Sequence, residues 1–230
     1  MKYRYLDIVT GLFVAVLLIS NVAATKIISL GPFSFDGGTI LFPLSYIFGD
    51  ILTEVYGYQR SRRVIWTGLV ANLLMAGFFA LIGWLPADPE WTHQAAYRVI
   101  LLYTPRIIAA SVVAYFVGEF ANSIVLSKMK ILTSGRSLWQ RAIGSTLIGQ
   151  LLDTGIFIII AFYATFSLSL LLRMFLSNYL FKIGLEVCNM PLTYLVVNKL
   201  KVLEKVDVFD YGVNYNPFHL TAEEEKDKKK

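Results

Sequence analysis

The chain has 230 residues, enough for one domain, and 56% of them are apolar against 16% charged, with a formal net charge of +5. A water-soluble domain has about a quarter of its residues charged, so lipid must be the solvent for most of this surface. The basic excess does not mark a nucleic-acid binder, because its Lys and Arg residues flank long apolar runs instead of clustering on a polar face or arm.

A crossing helix needs about 20 residues at about 1.5 Å rise. The apolar runs predict six spans, near Asp7–Thr25, Thr39–Tyr56, Val64–Trp84, Tyr97–Leu126, Ala142–Phe166 and Leu170–Leu200, and hence an all-α integral membrane protein. The first run is long enough to cross, and the following Thr25-Lys26-Ile27-Ile28 lacks a small-residue cleavage pattern, so it reads as a retained span and not a secretory signal. Ile27–Gly38 carries Gly-Pro and Asp-Gly-Gly turn signals, which predict a short hairpin or lid. The fourth and sixth runs exceed the minimum and predict tilt or helical extension beyond the hydrocarbon. Pro43, Pro105 and Pro191 are expected to kink or start helices. The six spans form one transport domain over 1–204. Residues 205–230 form a cytoplasmic C-terminal segment, whose charged end from residue 221 cannot build a core and is expected to be disordered.

Charge placement tests the layout. Lys2 and Arg4 precede span one, Arg60, Arg62 and Arg63 follow span two, and Lys128, Lys130, Arg136 and Arg141 follow span four. More lysines follow span six. The other loops hold only the flanking Lys26, Arg98 and Arg173, and the third carries Asp88 and Glu90. The positive-inside rule then places both termini in the cytoplasm of a cell (inner or plasma) membrane protein. An odd number of spans would break this alternation.

Polar residues inside the spans carry the functional reading, since a charge at the bilayer centre costs about 2.5–3.5 kcal/mol on insertion scales. Span two places Asp50 and Glu54 on one face with Tyr46 one turn earlier, and span five places Gln150 and Asp153 together. Span six carries a stripe of Asn178, Lys182, Glu186 and Asn189. Arg106, Asn72, Ser20 and Asn21 give the remaining spans a polar candidate each, while Glu119 and Asn122 rank lower, near the cytoplasmic end. Structural ion pairs, Lys182 with Glu186 and Arg106 with a carboxylate, account for some of these residues. They do not account for all, because Asp50, Glu54, Asp153 and Glu186 outnumber Arg106 and Lys182. Carboxylates left without a cation suit a ligand rich in hydrogen-bond donors, such as the amidine-like edge of a guanine-type ring. Phe42, Tyr46, Phe48 and Tyr56 offer stacking faces, or serve as plain core residues. Small residues such as Gly144, Ser145 and Gly149 suit close helix packing.

Cys188 is the single cysteine, so an intramolecular disulfide is excluded. His93 and His219 fall in a loop and the tail, which leaves no histidine metal cluster or triad within the membrane. No phosphate-binding glycine loop occurs. The reading is a non-enzyme without cofactor, and homo-oligomerisation stays open.

Four stretches carry a resemblance: Ser20-Asn21-Val22-Ala23-Ala24-Thr25-Lys26, Gly49-Asp50-Ile51-Leu52-Thr53-Glu54-Val55-Tyr56-Gly57, Gly144 through Thr154, and Asp210-Tyr211-Gly212-Val213-Asn214-Tyr215-Asn216-Pro217-Phe218. In this order they resemble the YhhQ family of queuosine precursor transporters, over nearly the whole chain except its charged tail. The resemblance implies inward transport of 7-deazaguanines, such as 7-cyano-7-deazaguanine, 7-aminomethyl-7-deazaguanine or queuine, for salvage into the tRNA nucleoside queuosine. It also implies a fold similar to the substrate-binding subunits of vitamin importers, and activity without a dedicated ATPase. Through the second and third motifs it maps binding onto Asp50, Glu54, Gln150 and Asp153. Spans two, five and six are then expected to enclose a midplane cavity, with Gln150 or Asn189 reading the base carbonyl and Lys182 holding Glu186. Competing readings are a capture subunit of an ATP-driven importer and, in a different class, a membrane-embedded enzyme.

Overall fold

The computed structural model describes residues 3–30, 33–102 and 105–220, with side chains at 27, 29–30, 33–36, 39, 42–43, 46 and 105 left aside. The expected disordered tail from residue 221 therefore lies outside the described residues. The elements run α1 (Leu6–Ala23), β1 (Ile27–Leu30), β2 (Phe33–Asp36), a 3₁₀ turn (Gly37–Ile40), α2 (Phe42–Tyr56), α3 (Tyr58–Trp84), α4 (Gln94–Leu101), α5 (Pro105–Leu132), α6 (Leu138–Phe162) and α7 (Leu168–Glu204). The turn signals after span one do produce a hairpin, in which β1 and β2 pair antiparallel with Ile28 opposite Phe35.

Five of these helices are long and apolar enough to cross a membrane, and their outward faces carry the exposed Leu, Ile, Val and Phe side chains that a lipid solvent requires. The predicted second span is the exception in length, since α2 has 15 residues. Its continuation with the 3₁₀ turn through Leu41 brings the rise to about 30 Å. The backbone N–H groups of Arg4 and Tyr5 donate to the Glu204 carboxylate at 2.9 and 2.7 Å, so α1 begins where α7 ends, and with the five long helices α2 makes a sixth traverse of the bundle. The predicted fourth span divides into a short α4 and the crossing helix α5, which starts at Pro105, where a missing N–H costs nothing. Pro191 lies within the 37-residue α7.

α2 sits centrally, packing against α1, α3, α5 and α7. Its face buries Ile47, Ile51, Leu52 and Val55 against Val9 and Phe13 of α1 and Val197 of α7. A hydroxyl knot ties it to two neighbours, for Thr53, Ser61 and Ser123 lie within 2.7–3.0 Å of one another. The α2–α3 corner turns on Gly57, whose φ of 81° favours glycine. A Cβ there would also sit 2.7 Å from Val208 and 2.8 Å from the Asp210 carboxylate.

α5 and α6 approach backbone to backbone at Gly118 and Gly149. A Cβ on Gly149 would lie 2.8 Å from the Asn122 Cβ and 3.1 Å from the Gly118 carbonyl oxygen. Gly149→Ala should therefore wedge the two helices apart at a cost of about 1–3 kcal/mol. A lowered thermal midpoint in detergent is the expected result, and unchanged stability would refute the close crossing.

Candidate functional site

The membrane-embedded acids fall into two separate groups. At the end of the bundle where α1 begins and α7 ends, Glu54 is fully buried and engaged by three cations. Arg141 at the start of α6 reaches both its oxygens, at 2.8 and 3.3 Å. Lys201 near the end of α7 lies at 2.6 Å, and Lys130 near the end of α5 at 3.6 Å. Lys130 also donates to the Glu54 carbonyl at 2.5 Å. This hub gathers α2, α5, α6 and α7 at one point, so the Glu54 carboxylate is already compensated by the protein. The sequence tally of embedded charge left out these three cations, because they belong to helix ends and loops and reach inward on long side chains.

The C-terminal segment completes the hub and covers it. Asp207 accepts from Lys130 at 2.6 Å and from Lys201 at 2.8 Å. Burial pushes its carboxyl upward, but these two ammonium groups outweigh that and hold it below its ordinary range. Asp210 accepts from the Tyr58 N–H at 2.9 Å and the Ser127 hydroxyl at 2.6 Å. There burial prevails over the hydrogen bonds and pushes the carboxyl up. Further along, the buried Arg62 donates to the carbonyls of Asn214 and Asn216, and the Trp66 indole donates to that of Pro217. The stretch Asp210–Phe218 is thus a strap fastened across α3 and α5.

Deeper in the bundle lies a second group, formed by Asp50 of α2, Glu119 and Asn122 of α5, Gln150 and Asp153 of α6, and Lys182 and Glu186 of α7. Asp50 and Glu186 have no exposed surface. Their carboxyls lie within hydrogen-bonding reach of each other. Asp50 Oδ1 accepts from the Asn122 amide at 3.3 Å, whereas Asp50 Oδ2, Asn122 Oδ1, Gln150 Oε1 and both Glu186 oxygens are buried without a partner among the described residues. Every one of these five atoms is an acceptor when the acids are ionised. Buried polar atoms are normally satisfied, and leaving one unmade costs about 1–3 kcal/mol. Glu119 approaches Gly49 and is close enough to feel the charges of Asp50, Asp153 and Lys182.

Several expected pairings are corrected by the structure. Lys182 holds Asp153, at 2.8 Å, and not Glu186, because its side chain crosses to α6 instead of running along its own helix. Arg106 meets no carboxylate among the described residues. It donates to the carbonyls of Ile160 and Tyr163 at 2.5 and 2.6 Å, capping carbonyl groups that the end of α6 leaves unpaired. Asn21 bonds the Asn72 side chain at 2.7 Å, and Asn189 donates back to the Leu185 carbonyl of its own helix. Tyr56 directs its hydroxyl to Glu204 at the terminal end, away from the deeper acids. The Tyr46 side chain lies outside the described residues. Glu119 and Asn122, ranked low from the sequence, belong to the deep group. Their three-residue spacing on one face of α5 was a signal of the same kind as Gln150 with Asp153.

Asp153, with 26% of its side chain exposed, and Lys182, with 13%, are partly exposed, as are Glu119 and Asn122, whereas Asp50, Gln150 and Glu186 are buried. A surface hollow of about 310 Å³ lies between the end of α3 and α4, lined by Ile82, Leu85, Trp91, Gln94 and Tyr97.

Relatives named as transporters resemble this chain. The chain is 29% identical over 190 residues to a probable queuosine precursor transporter of Bacillus subtilis, covering 80% of this chain and 82% of that one. It is 24% identical to the queuosine precursor transporter of Escherichia coli, over 86% of this chain and 89% of the relative. A probable queuosine precursor transporter of Haemophilus influenzae is 27% identical over 60% of this chain and 58% of its own. No solved structure matches. The family model described as "Putative vitamin uptake transporter" matches residues 36–196, a stretch that holds all of α2 through α6 with both acid groups of those helices, and the chain is a multi-pass membrane protein belonging to that family.

Proposed function

We propose that this protein imports queuosine precursors, the 7-deazaguanine bases, across the cell membrane, with both termini in the cytoplasm. The observation that carries the reading is the set of buried acceptors at Asp50, Asn122, Gln150 and Glu186 that have no donor among the described residues. A base whose ring edge presents adjacent N–H groups supplies what those atoms lack, and a carboxylate can take two parallel N–H bonds at once. Asp50 is the centre of this site, because it touches Asn122 on α5 and Glu186 on α7. The relatives' names supply the substrate class. Charge asymmetry supports the orientation, since the helix ends around the Glu54 hub carry the basic residues.

The test is uptake of labelled 7-deazaguanines by cells unable to make queuosine. Asp50→Asn should lower uptake at least about tenfold, equivalent to losing a charged hydrogen bond of about 1.5–3 kcal/mol, at unchanged membrane abundance. Uptake equal to that of the intact protein would remove Asp50 from the site.

A further inference from the structure

We infer that Asp50 and Glu186 together form a binding site for one proton, which enters with each molecule of base. The inference rests on the proposed substrate reading and adds the coupling ion to it.

The argument starts from where the cations go. Arg141, Lys201 and Lys130 are committed to Glu54 on α2, and Lys182 of α7 is committed to Asp153 of α6. The remaining groups that face the pair are Glu119 and Asn122 of α5, of which one is a further acid and the other neutral. No cation among the described residues is paired with Asp50 or Glu186. Two adjoining, fully buried carboxyls in this setting cannot both be ionised, because each would face a like charge in a medium that screens weakly. One hydrogen between them removes the conflict. As ionised groups both only accept, whereas a protonated Glu186 donates to the Asp50 oxygen that Asn122 leaves unbonded.

The hydrogen bonds also assign the proton to one member. Asp50 already accepts from the Asn122 amide, which favours its ionised form, while neither Glu186 oxygen has a donor among the described residues. Glu186 therefore carries the proton and Asp50 the charge. When the base arrives, Asp50 accepts its N–H edge and Glu186 stays neutral, so the loaded site holds one negative charge. When the site opens to cytoplasmic water, which screens the two charges, Glu186 releases its proton there, and no other covalent bond changes. A new proton from outside must return before the next base can be held. Proton and base then move in the same direction, one for one.

The experiment uses the full chain reconstituted in liposomes, with 7-cyano-7-deazaguanine as the probe because it carries no ionised amine. An interior alkaline by one pH unit (~1) should drive the intact protein to concentrate the base up to about tenfold, and a protonophore should abolish that accumulation; each pH unit corresponds to about 1.4 kcal/mol. Glu186→Gln mimics the protonated acid. It should fail to accumulate the base, and the exchange it retains should no longer vary with pH. A Glu186→Gln protein that concentrates the base as the intact protein does would overturn the proton site while leaving the substrate reading in place. If this variant fails to fold, a pH dye trapped in liposomes of the intact protein decides the matter. Interior acidification on adding base supports the inference, and an unchanged interior pH refutes it. Absence of any exchange by the intact protein defeats the substrate reading and this one with it.

Discussion

Glu54→Gln is expected to give a protein that is inserted but unstable, with a thermal midpoint in detergent lower by about 10 °C or more. The charge removed is the common partner of Arg141, Lys201 and Lys130, and the Glu54 and Arg141 side chains are essentially unexposed. Breaking a buried ion pair by deleting one partner costs about 3–5 kcal/mol, because the other charge is left uncompensated. For a chain of this size each kcal/mol moves the midpoint by about 2–4 °C. Asp207 remains to receive Lys130 and Lys201, so Arg141 is the residue stranded most completely. Adding Arg141→Met should accordingly recover part of the loss. A midpoint within 1 °C (~1) of the intact protein would show that the hub contributes no stability. The distinction from Asp50→Asn is one of kind: loss at Glu54 should appear first in stability, and loss at Asp50 first in transport.

Ending the chain after Lys205 should be similarly damaging, although it removes no crossing helix. The segment lost supplies Asp207 to Lys130 and Lys201, and Asp210 to Tyr58 and Ser127. It also supplies two carbonyl acceptors to Arg62, which is 2% exposed in the intact fold. Phe218 packs at 5.8 Å from the Trp66 ring and 5.7 Å from Phe116, and those rings would be uncovered together. Orphaning a buried guanidinium and two buried donors amounts to several kcal/mol, at about 1–3 kcal/mol for each group left unmade. Reduced recovery of folded protein and faster proteolysis at the α2–α3 corner are the measurements to make. Ending the chain after Leu220 keeps all of these contacts and serves as the control. If the two truncations behave alike, the strap does not hold the bundle.

The strap and the hub also mark where sequence reasoning reaches its limit. The motif Asp210–Phe218 resembled a known family's ending, yet nothing in its local composition says that Asp210 caps an N–H of α3 or that Gly57 must lack a Cβ to admit it. Those contacts join residues about 150 positions apart. Long basic side chains made the charge count misleading for the same reason. Lys130, Arg141 and Lys201 sit at helix ends in the sequence, which is where water normally keeps a charge, but their stems reach back to a carboxylate one turn inside. Lys182 shows the converse case. Its spacing of four from Glu186 allows an intrahelical pair, and a neighbouring helix offered Asp153 instead.

The residues by themselves determined that the protein lies in lipid, crosses it with helices, and turns an unusual set of acids inward. Each follows from one-dimensional facts, the length of apolar runs and the cost of placing charge in hydrocarbon. Tertiary structure alone decided which acids are neutralised by the protein and which are not, dividing a single list of candidates into a stabilising hub at Glu54 and a donor-poor layer around Asp50 and Glu186. The physical reason is that compensation depends on distance in space, over a few ångströms in a weakly screening interior, and the partners that supply it come from helices far apart in the chain.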